Sequence, residues 1–235
     1  MSCAGSWCNP AQGPTDLYSP RSFSEPDLAG LDWLAARDAF ATVVSTHEGA
    51  PFASHLPLLY ERADGRVRFR GHWARPNPQW MGIESRQMML ILHGPHAYIS
   101  PSWYVDPDRR VPTWNYAVAH VYGTARLIEN AGELADLVSE LSDKYEKGVG
   151  SSWQFDRESE HGRADLRGIV GFTLDAERIE LKFKFNQNHP PANVLGAARA
   201  LERIGNEQAL EVAAQMRERL DRREASQRDR AEHIG

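Results

Sequence analysis

The spacing of apolar and polar positions divides the chain into helical and extended stretches. Leu28, Leu31, Leu34 and Ala35 recur at helical intervals, which predicts a short helix ending near Arg37. Ser24 is its expected N-cap, with Pro26 in the first turn and Asp27 three residues on. From Phe40 the period falls to two. Phe40–Ser45, Phe52–Tyr60 and Arg66–Trp73 read as strands, separated by the turn signals His47-Glu48-Gly49 and Ala63-Asp64-Gly65. The third strand alternates sharply: Arg68, Arg70 and His72 on one side, Val67, Phe69 and Gly71 on the other. A short helix is expected over 77–85 and a buried strand over 88–92. Helical spacing returns with Leu134, Leu137, Val138, Leu141 and Tyr145, predicting a helix over 131–147. Residues 148–165 read as irregular or weakly helical. Two more strands follow, Ile169–Leu174 and Arg178–Phe185. Beyond Pro191, a thin apolar stripe (Ala197, Leu201, Ile204, Leu210, Ala213, Leu220) predicts helix packed on one side only.

The rest of the chain is organised around residues 94–123, read as strand, long loop and strand. This stretch carries Tyr98, Trp103, Tyr104, Trp114, Tyr116 and Tyr122, flat side chains with large contact area and, in Tyr and Trp, a polar tip. Its second strand places Trp114, Tyr116, Val118, His120 and Tyr122 on one face. The other face is nearly bare: Thr113, Asn115, Ala117, Ala119, Val121 and Gly123. A bare face leaves room for a thin ligand, which the Thr and Asn would orient. From spacing alone the favoured alternative is two packed faces of an all-β core. Short strands joined by turns, with helices inserted, give an α+β, mainly β chain: a barrel with helical additions.

Composition narrows the function. The length of 235 residues suits one large domain, or one domain with an extension. A net charge of −5 gives no general attraction to nucleic acid or anionic membranes. Residues 196–235 hold eight Arg against eight Asp and Glu, a balance unlike a DNA-binding arm. The longest apolar run, Met88–Leu92, is far too short to span a bilayer, and no secretory leader is visible, so a cytoplasmic protein is the default expectation. Cys3 and Cys8 lie in residues 1–16, which are rich in Gly, Pro, Ser and Asn and read as a disordered tail with free thiols.

Three basic groups are candidates for gripping an anion: Arg68, Arg70, His72 and Arg75; Lys182 and Lys184; and Arg109-Arg110. Arg75 favours ligand binding, because Ala74-Arg75-Pro76-Asn77 sits between a strand end and a helix start. For Lys182 and Lys184, protection of an edge strand fits equally well. His55 is on a strand, either hydrogen-bonded in the interior or facing a ligand. No metal site is expected: His93 and His96 are separated by a Gly-Pro turn and nothing completes a ligand set. There is no G-x-S-x-G, no P-loop and no Rossmann glycine fingerprint.

Six segments in order, SHLPLL, GHWARPNPQW, GPHAYISPSWY, VPTWNYAVAHVYG, RGIVGFTL and KFKFNQN, resemble the PaiB family of FMN-binding split-barrel proteins. The likeness runs from about Leu17 to Gly196. It implies an antiparallel split β-barrel of the six-stranded type, with peripheral helices and a C-terminal helical extension. It divides the chain into a tail (1–16), an FMN-binding domain (17–195) and the extension (196–235). It implies a homodimer with FMN at the subunit interface, similar to pyridoxamine-phosphate oxidases and flavin reductases. Carried over by motif, His72, Arg75 and Asn77 would hold the FMN phosphate, and His55, Leu56 and Pro57 would line the isoalloxazine. Thr113, Trp114 and Asn115 would form a wall, with Lys182, Lys184, Gln187 and Asn188 approaching from the other side. Tyr98, Ser100, Trp103 and Arg110 would face a small-molecule substrate or NAD(P)H. The expected function is a flavin-dependent oxidoreductase with no side chain singled out as its catalytic group. The family's label, "FMN-binding negative transcriptional regulator", supplies one alternative, although direct nucleic-acid binding is not expected of this chain. A haem-binding or haem-degrading split barrel supplies the other. The tail before Tyr18 and the helix after Gly196 extend beyond the family's usual limits.

Overall fold

One strand, β6 (Thr113–Ile128), is long enough to belong to both halves of the sheet. The computed structural model of the protein describes residues 17–232. The expected tail, with Cys3 and Cys8, lies outside them. The elements run α1 (Ala29–Arg37), β1 (Phe40–His47), β2 (Ala50–Pro57), β3 (Leu59–Ala63), β4 (Arg66–Ala74), β5 (Gln87–Ile99), then β6. They continue with α2 (Ala131–Gly148), α3 (Glu160–Arg167), β7 (Ile169–Asp175), β8 (Arg178–Lys184), α4 (Pro191–Ile204) and α5 (Glu207–Glu232). The result is an eight-stranded antiparallel sheet in the order β2-β1-β5-β6-β7-β4-β3, with β8 also paired to β6. Thr113–Thr124 of β6 pair with β5, Tyr116–Tyr122 also with β8, and Ala125–Ile128 with β7. The sheet bends where β6 changes partner. Its inner faces enclose the core, in which Phe69, Trp73, Leu90, Val121, Phe172 and Leu174 are sealed from water.

Several local expectations are corrected. Ser24 does not cap α1; Asp27 does the nearest equivalent, its Oδ1 accepting the Ala29 N–H at 2.8 Å. The strand expected over 52–60 is two strands, because the chain turns at Leu58, whose N–H bonds Ala39 O at 3.0 Å and whose side chain enters the core. The helix expected over 77–85 is two single 3₁₀ turns, Pro78–Trp80 and Ile83–Ser85, interrupted by Gly82 in the left-handed region. Both hairpin turns form as read, with φ near 50° at Glu48 and Asp64 before left-handed glycines. Residues 94–95 make a bulge inside β5. A Cβ on Gly94 would lie 2.7 Å from both Leu34 Cδ2 and Ala117 Cβ, so the missing side chain lets α1 approach the sheet.

The bare face of β6 is the core face. Asn115 and Ala119 are 0 % exposed, and Ala117, Val121 and Ala125 are buried with them. Small residues there admit the packed neighbours of the interior. The crowded face of β6 is the one turned outward. The C-terminal segment is two helices, because Gly205 in the left-handed region (φ 75°) ends α4. Val194, Ala197, Leu201, Val212, Met216 and Leu220 carry both helices into the same core as the sheet. α2 covers the other side of the β4–β7 pair through Leu134, Leu137 and Leu141. No helix among the described residues is long and apolar enough to cross a membrane.

Candidate functional site

Strands β2, β1, β5, β6 and β8 lie side by side; their outer face exposes His55, His93, His96, Tyr98 and Trp114, while residues 17–25 cover its β8 side. Register fixes which side chains meet there. One row reads His55, Thr42, Ile91, His120, Glu180 from β2 to β8. The next inward-to-outward steps along β6 bring Val118 beside Lys182 and Tyr116 beside His96 and Lys184, and then Trp114 beside Tyr98. Thr42 Oγ1 lies 3.1 Å from His55 Nδ1 and 3.3 Å from His93 Nε2, so one hydroxyl joins two imidazoles across three strands. Trp114 and Tyr98 stand edge to face at 5.9 Å, with His96 6.1 Å from Trp114. Both large rings are exposed, 53 % for Trp114 and 44 % for Tyr98. This is a flat aromatic and imidazole surface left in contact with water.

The β8 side of this face carries two ammonium groups. Lys182 is buried under residues 17–25, which run along β8. Its Nζ donates to Tyr18 O at 2.7 Å and stands over the rings of Tyr18 and Tyr116. Lys184 Nζ donates to Thr113 Oγ1 and lies over Phe23.

The β2 side leads to the β4 end. Asn77 Nδ2 donates to Ser54 Oγ at 2.8 Å, and Ser54 precedes His55. Asn77 Oδ1 in turn accepts the Gln79 N–H at 3.0 Å. Arg75 is exposed, and its guanidinium donates to Arg167 O at 2.6 Å and Ile169 O at 2.8 Å. Arg75 therefore lies near the β7-paired end of β6, whereas Thr113 begins that strand. A single chain brings Arg75, Asn77 and His55 to one sheet edge, and Trp114, Thr113, Lys182 and Lys184 to another part of the face. It does not bring the two groups into one cleft.

The remaining candidates are dispersed. His72 lies on the α2 side of β4, half-buried, with Nδ1 lacking a hydrogen-bond partner. Leu56 packs against the core. Asn115 is sealed in the core with both side-chain polar atoms unpartnered. Gln187 folds its own turn, accepting from Phe185 N at 2.6 Å and donating to Phe183 O. Asn188 is exposed. Ser100 caps the turn Pro101–Trp103, accepting from Ser102 N at 3.2 Å. Arg110 pairs with Asp106 at 3.0 Å, and Asn193 donates to the same carboxylate, which holds Asp106 below the usual carboxylate range. Thr42, His93 and Tyr116 were not among the sequence candidates. The period-two pattern of β1 placed Thr42 on a face, but only register joined it to His55 and His93.

The cations divide by their partners. Arg68 is paired with Asp175 at 2.7 Å, and Arg70 with both Glu61 and Glu140. These carboxylates neutralise them and raise their affinity for the proton. Arg75, Lys182 and Lys184 instead donate to neutral carbonyl or hydroxyl oxygens. The exposed Arg75 and half-buried Lys184 keep a charge to offer a dianion, whereas Lys182 is buried under residues 17–25. With exposed flat rings on the face that carries Lys184, the residues present fit a phosphorylated planar ring system in kind.

Three imidazoles set a pH dependence, the pKa of His189 being lowered first by burial and then by Arg110. Burial lowers the pKa of His72; burial, then the nearby His55 and His96, lower that of His93. A histidine held neutral in the folded state takes up its proton more readily when unfolded. Stability is therefore full above the ordinary histidine pKa of about 6.5 and declines as pH falls through it. The urea midpoint is expected to drop between about pH 7.5 and 5.5, and to drop less in the double variant His72→Gln, His93→Gln. An equal drop in both proteins would assign the effect to other groups.

Comparison with known proteins places the chain in a family and a fold. Residues 17–178 match the family model described as "Putative FMN-binding domain". The chain is similar to the "Protease synthase and sporulation protein PAI 2" of Bacillus subtilis, 35 % identical over 206 residues, covering 87 % of this chain and 98 % of that protein. Among solved structures, the FAD and heme binding protein from Mycobacterium smegmatis aligns with TM-score 0.53 and 17 % identity, over 68 % of this chain and 73 % of that one. The flavocytochrome Anf3 from Azotobacter vinelandii aligns with TM-score 0.52 and 14 % identity, over 69 % of each chain. At those identities the two structures establish a shared split-barrel fold.

Proposed function

The chain belongs to the family of FMN-binding domains so described, and from that premise we propose that it is a flavin-dependent oxidoreductase. It would act as a homodimer that holds FMN between the outer faces of two sheets. One observation carries this reading. The outer face exposes Trp114, Tyr98 and three imidazoles away from β8, and neither Lys184 on it nor Arg75 beyond the end of β4 is paired with a carboxylate among the described residues. Dimerisation supplies what one chain lacks, since the Arg75–Asn77 edge of one copy can then meet the Lys182–Lys184 side of the other.

When bound, FMN supplies two-electron hydride chemistry. The chain's residues have narrower tasks. Arg75 offers a planar fork to phosphate oxygens, and Asn77, braced by Ser54, sets the edge beside it. Lys184, held by Thr113, adds positive potential near the ring. His55 and His93, linked through Thr42, present N–H or lone-pair edges to ring heteroatoms. Trp114 and Tyr98 exclude water from one side of a bound ring. Among the described residues no cluster of three or more His, Cys, Asp or Glu is arranged to hold a metal ion.

The name of the Bacillus subtilis relative favours a second reading, in which flavin occupancy is sensed and sporulation-type gene control is the output. The chain's net charge of −5 weighs against operator binding by the protein alone.

An absorption spectrum with and without added FMN tests the leading reading. Paired flavin bands that bleach with NADH or NADPH, on a protein of twice the chain mass by light scattering, are expected. A Soret band in place of flavin bands would assign the face to haem. No retained flavin at saturating FMN would remove the flavin reading.

A further inference from the structure

A groove of about 560 Å³ runs between the tip of the β5–β6 pair and the junction of α4 with α5. One wall is aromatic: Trp114, Tyr98 and Trp103. The opposite wall is aliphatic, with Leu201 and an exposed Ile204, and Glu207 stands at its end. Its size lies within the roughly 300–1,000 Å³ typical of small-molecule sites. The wall contributed by α4 and α5 lies beyond the segment 17–178 that matches the family.

Both walls are fixed in place. The backbone N–H of His96, at the β5 bulge, donates to Gln208 Oε1 at 3.0 Å, tying the start of α5 to the sheet. The loop carrying Trp103 is tied to α4 twice. Val105 N donates to Asn193 Oδ1 at 3.0 Å, and Gly196 lies against the Trp103 carbonyl, where a Cβ would come within 2.4 Å. Tyr104, next in the loop, accepts from Asn186 at 3.0 Å. Asn206 caps α5, accepting from Ala209 N at 2.9 Å. A groove held in shape before binding loses little freedom on binding.

Charge selects the ligand. Among the described residues lining the groove, Glu207 is the only carboxylate, His96 is the only imidazole, and there is no Lys or Arg. A Trp face is the best aromatic platform for a cation. Aliphatic side chains opposite suit a flat, apolar body. We propose that this groove binds planar aromatic cations, of the pyridinium or quinolinium kind, stacked on Trp114 with the positive charge towards Glu207. The Gly205 break between α4 and α5 is what turns Glu207 and Ile204 to the groove end.

Capture of such a cation does not require FMN, so the test uses the full chain freed of flavin. N-methylquinolinium and uncharged quinoline are titrated calorimetrically at low and moderate salt. The cation is expected to bind about three- to tenfold more tightly than quinoline at low salt, with the gap closing as salt screens Glu207. Glu207→Gln should shrink the cation's preference over quinoline to the part that the Trp114 face supplies, and leave quinoline unchanged. Trp114→Ala should weaken both. Failure of either probe to bind, equal binding of the two, or an unaltered preference in Glu207→Gln would overturn the proposal. Because Glu207 and Trp114 are exposed, both variants are expected to fold, and a thermal melt confirms it.

Discussion

Replacing Arg75 by Ala is expected to weaken FMN binding roughly tenfold to a hundredfold, the range set by about 1.5–3 kcal/mol for a hydrogen bond to a charged group. The effect should depend on the phosphate. Riboflavin has the same ring and no phosphate, so its affinity should be unchanged and the preference for FMN should collapse. Arg75→Lys should fall between, because an ammonium keeps the charge but loses the planar fork. Arg75 also has a structural task, holding Arg167 O and Ile169 O at the end of β7. A thermal melt beside each titration separates the two tasks: a variant that melts normally yet fails to discriminate FMN has lost a ligand contact. Unchanged FMN affinity would move the phosphate to Lys182 and Lys184. The contrast with Arg68 makes the expectation specific. Arg68 lies on β4, the strand that ends just before Arg75, but is neutralised by Asp175, and its replacement should not alter flavin affinity.

Gln79→Ala is expected to cost about 2–4 kcal/mol of stability, because several buried groups would lose their partner together. Gln79 is 2 % exposed. It accepts from Trp73 Nε1 at 2.9 Å and donates to Val43 O at 2.9 Å, Phe52 O at 3.1 Å and Ser45 Oγ at 3.2 Å. One amide thus ties the turn after β4 to β1 and β2, and through Asn77 it positions the edge that carries Arg75. Trp73 is fully buried and stacked on Phe172 at 4.2 Å, so water cannot easily replace the lost acceptor. Urea unfolding measures the change. The double variant Trp73→Phe, Gln79→Leu should recover part of the loss, since removing both partners leaves fewer orphaned groups. A loss below about 1 kcal/mol would mean that water reaches this cluster.

Local chemistry made much of the architecture legible. Alternation gave the strands of both hairpins, and left-handed turn residues at 48–49 and 64–65 fixed where they reverse. Helical spacing gave α2, whose buried residues Leu134, Leu137 and Leu141 are among those that the pattern named. Register and layer were another matter. From spacing alone the stripped side of β6 favours a core face over a ligand bed without excluding either. Which it became depended on α1, α4 and α5 closing over the interior, and those contacts join residues far apart in the chain. Asn115 is the clearest case: polar and adjacent to Trp114, it belongs by sequence to a site, and packing sealed it away.

The candidate site divides in the same way. The sequence by itself determined its ingredients: the aromatic-rich strands, the cations at strand spacing, and the order of six motifs that place the chain in its family. A period of two states which residues share a side, because side chains alternate along any strand. Only the tertiary structure decided which side faces water, and which arginines keep a charge to offer. Those outcomes depend on where Asp175, Glu61 and Glu140 come to rest, and neutralisation acts through distances of a few ångströms that the order of residues does not encode.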